Sequence, residues 1–297
     1  MVKKLVLLVV GVLMAALFAG CGNDAPKEQA GKKIQVVTSF NAMSEFAKAI
    51  GGDKVEVSTI IPDGTEPHDF ELKPENMKQL ASAQVFVYNG LGMEPWAQQA
   101  IDAAKNDKLV SVVATEGVEA IKNTDPEEIK EHGAEDPHAW LSLKNAKIEV
   151  KNIKDALVKV DPANKDYYEK NYTEYVAKLD AMIKKYEEQF AKAPHKNFVT
   201  GHAAFAYLCR DFGLEQNSVE DVFAEGEPNA AQLAKLIEYC KENKITTIFA
   251  EEMASPEVSK TLAQEVGAKV ETIYTIESNE DNKTYLERMD ENLTKIA

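Results

Sequence analysis

The stretch DPANKDYYEKNYTEYVAKLDAMIKKYEEQFA, residues 161–191, decides how the chain is divided. Asp161 offers a capping carboxylate, and Pro162 presets the first helical residue. Tyr168, Tyr172, Tyr175, Val176, Leu179, Met182, Ile183, Tyr186 and Phe190 then recur at helical spacing and form one apolar stripe. No Gly or Pro breaks the run beyond Pro162. A helix of about 30 residues spans roughly 45 Å. It is a rigid strut, and a domain boundary falls on it.

On both sides of the strut, short apolar runs alternate with helical patterns. Upstream, residues 34–38, 55–61, 85–88 and 109–113 read as strands. Helical patterns follow from Asn41 (stopped by Gly51-Gly52), Pro74, Pro95 and Leu143. Downstream, strands at 198–200, 214–219, 246–250 and 270–274 alternate with helices opening at Gly201-His202, Pro228-Asn229, Ser255-Pro256 and Asp281. Such alternation implies parallel strands with crossover helices. The expected fold class is α/β, with two lobes. Each lobe is a roughly four-stranded, mainly parallel sheet with flanking helices, and one long rigid helix joins them. The lobes span 34–160 and 193–297, with the connecting helix at 161–192. The halves share an architecture but no convincing sequence repeat.

The first 33 residues stand apart from this pattern. Lys3 and Lys4 precede an apolar run from Leu5 to Phe18, shorter than the ~20 residues that cross a bilayer. Ala19-Gly20-Cys21 ends it, as in a bacterial lipoprotein signal with lipid on the Cys21 sulfur. Phe18 departs from the aliphatic residue usual at its place. Residues 1–20 therefore read as a signal peptide and 21–33, rich in polar residues, as a flexible tether. Export would place the chain outside the cytoplasm, anchored to the cell membrane. With 34 basic and 49 acidic side chains the surface repels nucleic acid. Cys209 and Cys240 occupy apolar helical positions without CxxC spacing, and so read as buried thiols rather than zinc ligands. A disulfide between them stays open.

The chain has five histidines, and three stand at structural transitions: Pro67-His68-Asp69, Asp136-Pro137-His138 and Gly201-His202-Ala203. Neutral imidazole is the commonest metal ligand. Pro67 and Pro137 stiffen the backbone ahead of two of these rings. An ion between two lobes draws ligands from both: His68 and His138 from the first, His202 and Glu277 from the second. Three imidazoles with one carboxylate suit tetrahedral zinc, and manganese favours more oxygen donors. Imidazole must be neutral to bind, so affinity is expected to fall as pH drops through about 6.5. Trp140 and Phe205 would wall the site, and Glu251 and Glu252 could orient a histidine. His132, in the long acidic connector at 117–136, is a solvated loop residue or a transient visitor to the metal. His195 reads as a surface residue.

Several motifs together resemble the zinc and manganese substrate-binding proteins of bacterial ABC transporters. They are Glu66-Pro67-His68-Asp69-Phe70-Glu71, Asn89-Gly90-Leu91-Gly92-Met93-Glu94-Pro95-Trp96, Asp136-Pro137-His138-Ala139-Trp140, Thr200-Gly201-His202-Ala203-Ala204-Phe205-Ala206-Tyr207 and Gly226-Glu227-Pro228-Asn229. The resemblance covers nearly all of 34–297. It implies two lobes, a long connecting helix, a metal between the lobes, and delivery to a membrane permease with a cytoplasmic ATPase. It matches ligand positions to His68, His138 and His202, and a fourth, after the last strand, to Glu277. A histidine in the third position is similar to the zinc branch. The histidine-rich loop of many zinc members is replaced here by the acidic connector with His132.

The resulting expectation is a monomeric, lipid-anchored receptor that captures extracytoplasmic Zn2+ for an ABC importer and is not an enzyme. The same scaffold carrying manganese or iron(II), or a surface adhesin with incidental metal binding, are the alternatives. A zinc hydrolase would need an open metal position and a general base; the chain has no HExxH, and Glu277 would fill the opening.

Overall fold

A computed structural model describes residues 33–123, 129, 133–222, 230–251, 257–279 and 281–297. The proposed signal, Cys21 and the tether up to Lys32 lie outside the described residues, as do His132, Glu252 and Gly226-Glu227-Pro228-Asn229. No helix among the described residues is long and apolar enough to cross a membrane.

The first half runs β1 (Ile34–Thr38), α1 (Asn41–Gly51), β2 (Val55–Thr59), α2 (Pro74–Ser82), β3 (Val85–Tyr88), α3 (Ala97–Ala104), β4 (Val110–Val113) and α4 (Leu143–Val160). The second half runs β5 (Asn197–Thr200), α6 (Ala206–Phe212), β6 (Glu215–Ser218), α7 (Ala230–Glu242), β7 (Thr247–Glu251), α8 (Glu257–Val266), β8 (Lys269–Ile273) and α9 (Tyr285–Ile296). Between them lies α5 (Lys165–Phe190), the strut expected from the sequence. The sheets have orders β2-β1-β3-β4 and β6-β5-β7-β8. Every pairing is parallel, as in Ile34↔Val55 and Val199↔Ile248. The two halves thus repeat one topology without a visible sequence repeat. In both sheets the strand order reverses next to the first strand of the half, and ligands of such sheets bind beyond the carboxyl ends there.

Some local expectations change for identifiable reasons. Residues 162–164 form a single 3-10 turn before α5 begins at Lys165. The Asp161 carboxylate is occupied by Asn164 Nδ2 and the Tyr168 hydroxyl, and does not cap the helix. Asn41 is the first helical residue of α1 rather than its cap. No helix starts at His202, because the carbonyls that would accept helical bonds are already taken. Val219 and Glu220 donate to the Gly201 carbonyl, and Thr200 Oγ1 and Gln216 Nε2 to that of His202. The last helix starts at Tyr285, behind a Thr284–Glu287 capping box, rather than at Asp281. Asp281 is held instead by the Arg288 guanidinium.

Tyr168, Tyr175, Leu179, Ile183, Tyr186 and Phe190 of α5 are buried on one face. They join a core that also holds Phe46 and Leu157 from the first half and Phe205, Phe249 and Ile273 from the second. The two sheets therefore share one apolar core. A smaller cluster of Val199, Leu236, Cys240, Ile248 and Leu262 lies within the second half. Cys209 and Cys240 are both free and buried, which closes the disulfide question.

Glu149 is the anomaly of this core. It is fully buried in α4, and neither carboxylate oxygen has a hydrogen-bond partner among the described residues. Burial raises its pKa to about 8. The fold therefore holds a proton that the unfolded chain loses near pH 4.5, and stability falls as pH rises between those values. At pH 7 this amounts to about 3 kcal/mol. Glu149→Leu is expected to raise Tm clearly more at pH 8 than at pH 5. An equal gain at both pH values in thermal melts would contradict a buried, proton-holding Glu149.

Candidate metal centre

The loops that leave the strands at their carboxyl ends carry the predicted residues to one place. His68 follows β2, His138 follows the connector after β4, His202 lies two residues beyond β5, and Glu277 four beyond β8. One ligand atom from each of the four lies within 4.8 Å of every other. His138 Nε2 is 3.2 Å from His68 Nε2 and 3.3 Å from His202 Nε2. Glu277 Oε1 is 3.6 Å from His138 Nε2 and 3.7 Å from His68 Nε2. A tetrahedral ion with bonds of about 2.0–2.1 Å sets its ligand atoms roughly 3.3–3.4 Å apart. The cluster has nearly that size. The four side chains are almost wholly shielded, between 0% and 4% exposed.

The hydrogen bonds around the cluster turn the rings inward. The Asp136 carboxylate lies 2.9 Å from His138 Nδ1, and the same oxygen accepts the His138 backbone N–H at 2.9 Å. A proton on Nδ1 leaves the Nε2 lone pair facing the other ligands. The Tyr207 hydroxyl donates to the Asp136 carbonyl at 2.6 Å and steadies this turn from the second half. Glu66 Oε1 accepts the His68 backbone N–H at 3.2 Å. Glu251 Oε1, at the end of β7, accepts that of His202 at 3.1 Å. The Glu251 carboxylate packs directly against Gly201, so a Cβ at that position would require the Glu251 side chain to shift. Glu277 Oε2 accepts from the Thr275 hydroxyl at 2.7 Å, whereas its buried Oε1 has no hydrogen-bond donor among the described residues. An unmatched buried carboxylate oxygen facing imidazole nitrogens suits a cation.

The electrostatics of the cluster are uneven. Burial disfavours the His138 cation, but Asp136 and Glu277 outweigh it and raise its pKa to about 9. Burial lowers that of His202 to about 4. Burial would raise the Glu277 pKa, yet the three histidines bring it down to about 2.

The other expected residues fall around this cluster or away from it. Trp140 is fully buried, its ring centroid 5.1 Å from that of His138, and its Nε1 donates to the Thr275 carbonyl at 2.7 Å. Phe205 is fully buried against Phe198. His195 is exposed. The role of Asp136 was missed in the sequence. Its signal was present in the spacing, since Glu66-Pro67-His68 and Asp136-Pro137-His138 both place an acid two residues before the ring. An acidic side chain there can accept the N–H two residues on, as in an Asx-turn.

Fold and site together define a metal-binding receptor of two parallel α/β halves. Residues 36–297 match the family described as zinc-uptake complex component A, periplasmic, and the chain belongs to that family. It is 42% identical over 295 residues to the high-affinity zinc uptake system protein ZnuA of Bacillus subtilis, covering 94% of this chain and 92% of the relative. It is 33% identical over 306 residues to the manganese ABC transporter substrate-binding lipoprotein PsaA of Streptococcus pneumoniae, covering 99% and 98%. Among solved structures, the Zn(II)-bound ZnuA-like domain of Streptococcus pneumoniae AdcA superposes with a TM-score of 0.76 at 35% identity, covering 89% of this chain and 98% of that one.

The contrast between the two buried rings is open to NMR titration of the metal-free protein. His138 should keep its proton to about pH 9 and His202 should lose its own near pH 4. Asp136→Asn should bring the His138 midpoint down by at least about one unit. A midpoint unmoved by that change would remove Asp136 as the partner of His138.

Proposed function

We propose that this chain is an extracytoplasmic zinc receptor that binds Zn2+ through His68, His138, His202 and Glu277 and hands it to an ABC-type permease with its ATPase. In this reading residues 1–20 are a signal peptide and Cys21 carries the lipid that ties a monomer to the membrane. Residues 21–33 are the tether, and the lobes at 34–160 and 193–297 meet across the helix at 161–192. The observation that carries the proposal is the buried convergence of three imidazole nitrogens and an unmatched carboxylate oxygen within 4.8 Å.

Four protein ligands fill a tetrahedron. A catalytic zinc keeps one position for water or substrate, so the arrangement suits carriage of the ion rather than hydrolysis. The donor set also favours zinc over manganese, which prefers oxygen ligands in octahedral array. The manganese reading draws on the similarity to PsaA, but the three imidazoles weigh against it. Glu251 supports His202 through its backbone. Trp140 and Phe205 keep the surroundings dry, which strengthens the field between ligands and ion.

Metal-free protein offered equimolar zinc, manganese and iron(II) without oxygen should retain one zinc per chain after dialysis. His68→Ala and His202→Ala should retain far less, and retention of manganese or iron in place of zinc would overturn the reading. Binding should also release protons. His138 holds its proton below about pH 9, so zinc must displace it at neutral pH. The raised value moves the pH-sensitive window above the 6.5 of an ordinary histidine. About one proton per zinc is expected at pH 7, and affinity should fall roughly tenfold per pH unit below 9. Calorimetry in buffers of different ionisation enthalpy measures the proton yield, and a yield of zero would contradict this ligand set.

A further inference from the structure

The turn that presents Glu277 has a backbone that β-branched residues avoid. Ile276 sits at φ 62°, in the left-handed region, with its side chain fully buried. Valine, isoleucine and threonine are true outliers there, and such conformations persist where the surroundings over-determine them. Much of what holds this turn comes from the other half of the chain. Asn41, at the start of α1, donates from Nδ2 to the carbonyls of Ile276 at 3.3 Å and Ser278 at 3.2 Å, the residues flanking Glu277. Its backbone N–H donates to the Glu277 carbonyl at 3.3 Å. Trp140 Nε1 and the Gly64 N–H add bonds to the Thr275 carbonyl and the Ser278 hydroxyl. From its own half the turn is held by Arg288, whose Nη1 donates to the Ser278 carbonyl at 3.0 Å. Asn41 therefore spans the ligand on both sides, whereas Arg288 grips its far side. Asn41 is 4% exposed, so water cannot readily replace its donated bonds.

We propose that Asn41 is a positioning residue for zinc binding. It holds the left-handed turn at Ile276 so that Glu277 Oε1 meets the three histidines, and it makes the fourth ligand conditional on contact between the two halves. This rests on Glu277 being a zinc ligand. The two sheets share one apolar core, and a wide separation would expose it to water. A small loss of contact at Asn41 is enough to let Ile276 relax and Glu277 withdraw. Three imidazoles then remain, a weaker site from which zinc can pass to the membrane partner.

A double-mutant cycle on the full-length protein tests this with Asn41→Ala, Glu277→Ala and the pair. Zinc affinity is measured against a chromophoric chelator, and coordination is read from the visible absorption of bound Co2+. Each single change should weaken zinc by about 10- to 100-fold. The pair should be no weaker than Glu277→Ala within about twofold, since Asn41 acts through that ligand. The Co2+ spectrum of Asn41→Ala should resemble that of Glu277→Ala. Losses that multiply in the pair, or a wild-type Co2+ spectrum for Asn41→Ala, would overturn the role of Asn41 while leaving Glu277 a ligand. Full zinc affinity in Glu277→Ala would overturn the ligand set and this proposal with it. Asn41→Leu, which fills similar space and donates no side-chain hydrogen bond, replaces Asn41→Ala in the cycle if that variant does not fold.

Discussion

Three imidazole nitrogens and one carboxylate oxygen face one another in a place almost closed to water, with spacings near those of a tetrahedral zinc ion. The cluster is built for a positive charge. In the metal-free protein the His138 imidazolium, held by Asp136 and Glu277, supplies it, and an incoming metal ion must displace that proton. Four loops, each leaving the carboxyl end of a parallel strand, bring these side chains in from both halves, and carboxylates behind them fix the backbones of His68, His138 and His202.

This constraint explains why the halves are not free bodies. Side chains from both sheets meet within a few ångströms, and the sheets are joined by a one-sided helix and by a common core. Their contacts are also polar and specific. Ser142, which caps α4, donates to the Asp211 carboxylate of α6 at 2.6 Å. The Tyr285 hydroxyl donates to the Trp140 carbonyl at 2.6 Å. The geometry of the cluster is thus supported by contacts beyond the four side chains themselves, which is how rigid sites are generally maintained.

Much of the fold was legible because its signals are local. The tyrosine stripe of α5 and the strand–helix alternation are periodic patterns, and the structure reproduces them closely. The candidate site was legible because His202 directly follows a strand, His68 and His138 each follow a proline in the loops beyond β2 and β4, and Glu277 follows the last strand. What escaped depends on partners distant in sequence. The helix expected at His202 does not form because carbonyls there serve Gln216, Val219 and Glu220. The bond from Asn41 to Ile276 joins residues 235 positions apart, and no periodicity announces it. The unpartnered burial of Glu149 was equally hidden, because Glu at that position also fits the solvent side of a helix.

The central claim is that zinc is held by three imidazoles and one carboxylate, with no water and no sulfur. X-ray absorption at the zinc edge of the loaded protein tests it most directly. The account predicts four nitrogen or oxygen neighbours at about 2.0–2.1 Å, with outer-atom scattering from three imidazole rings. Sulfur at about 2.3 Å, or a six-coordinate shell of oxygen, would contradict it.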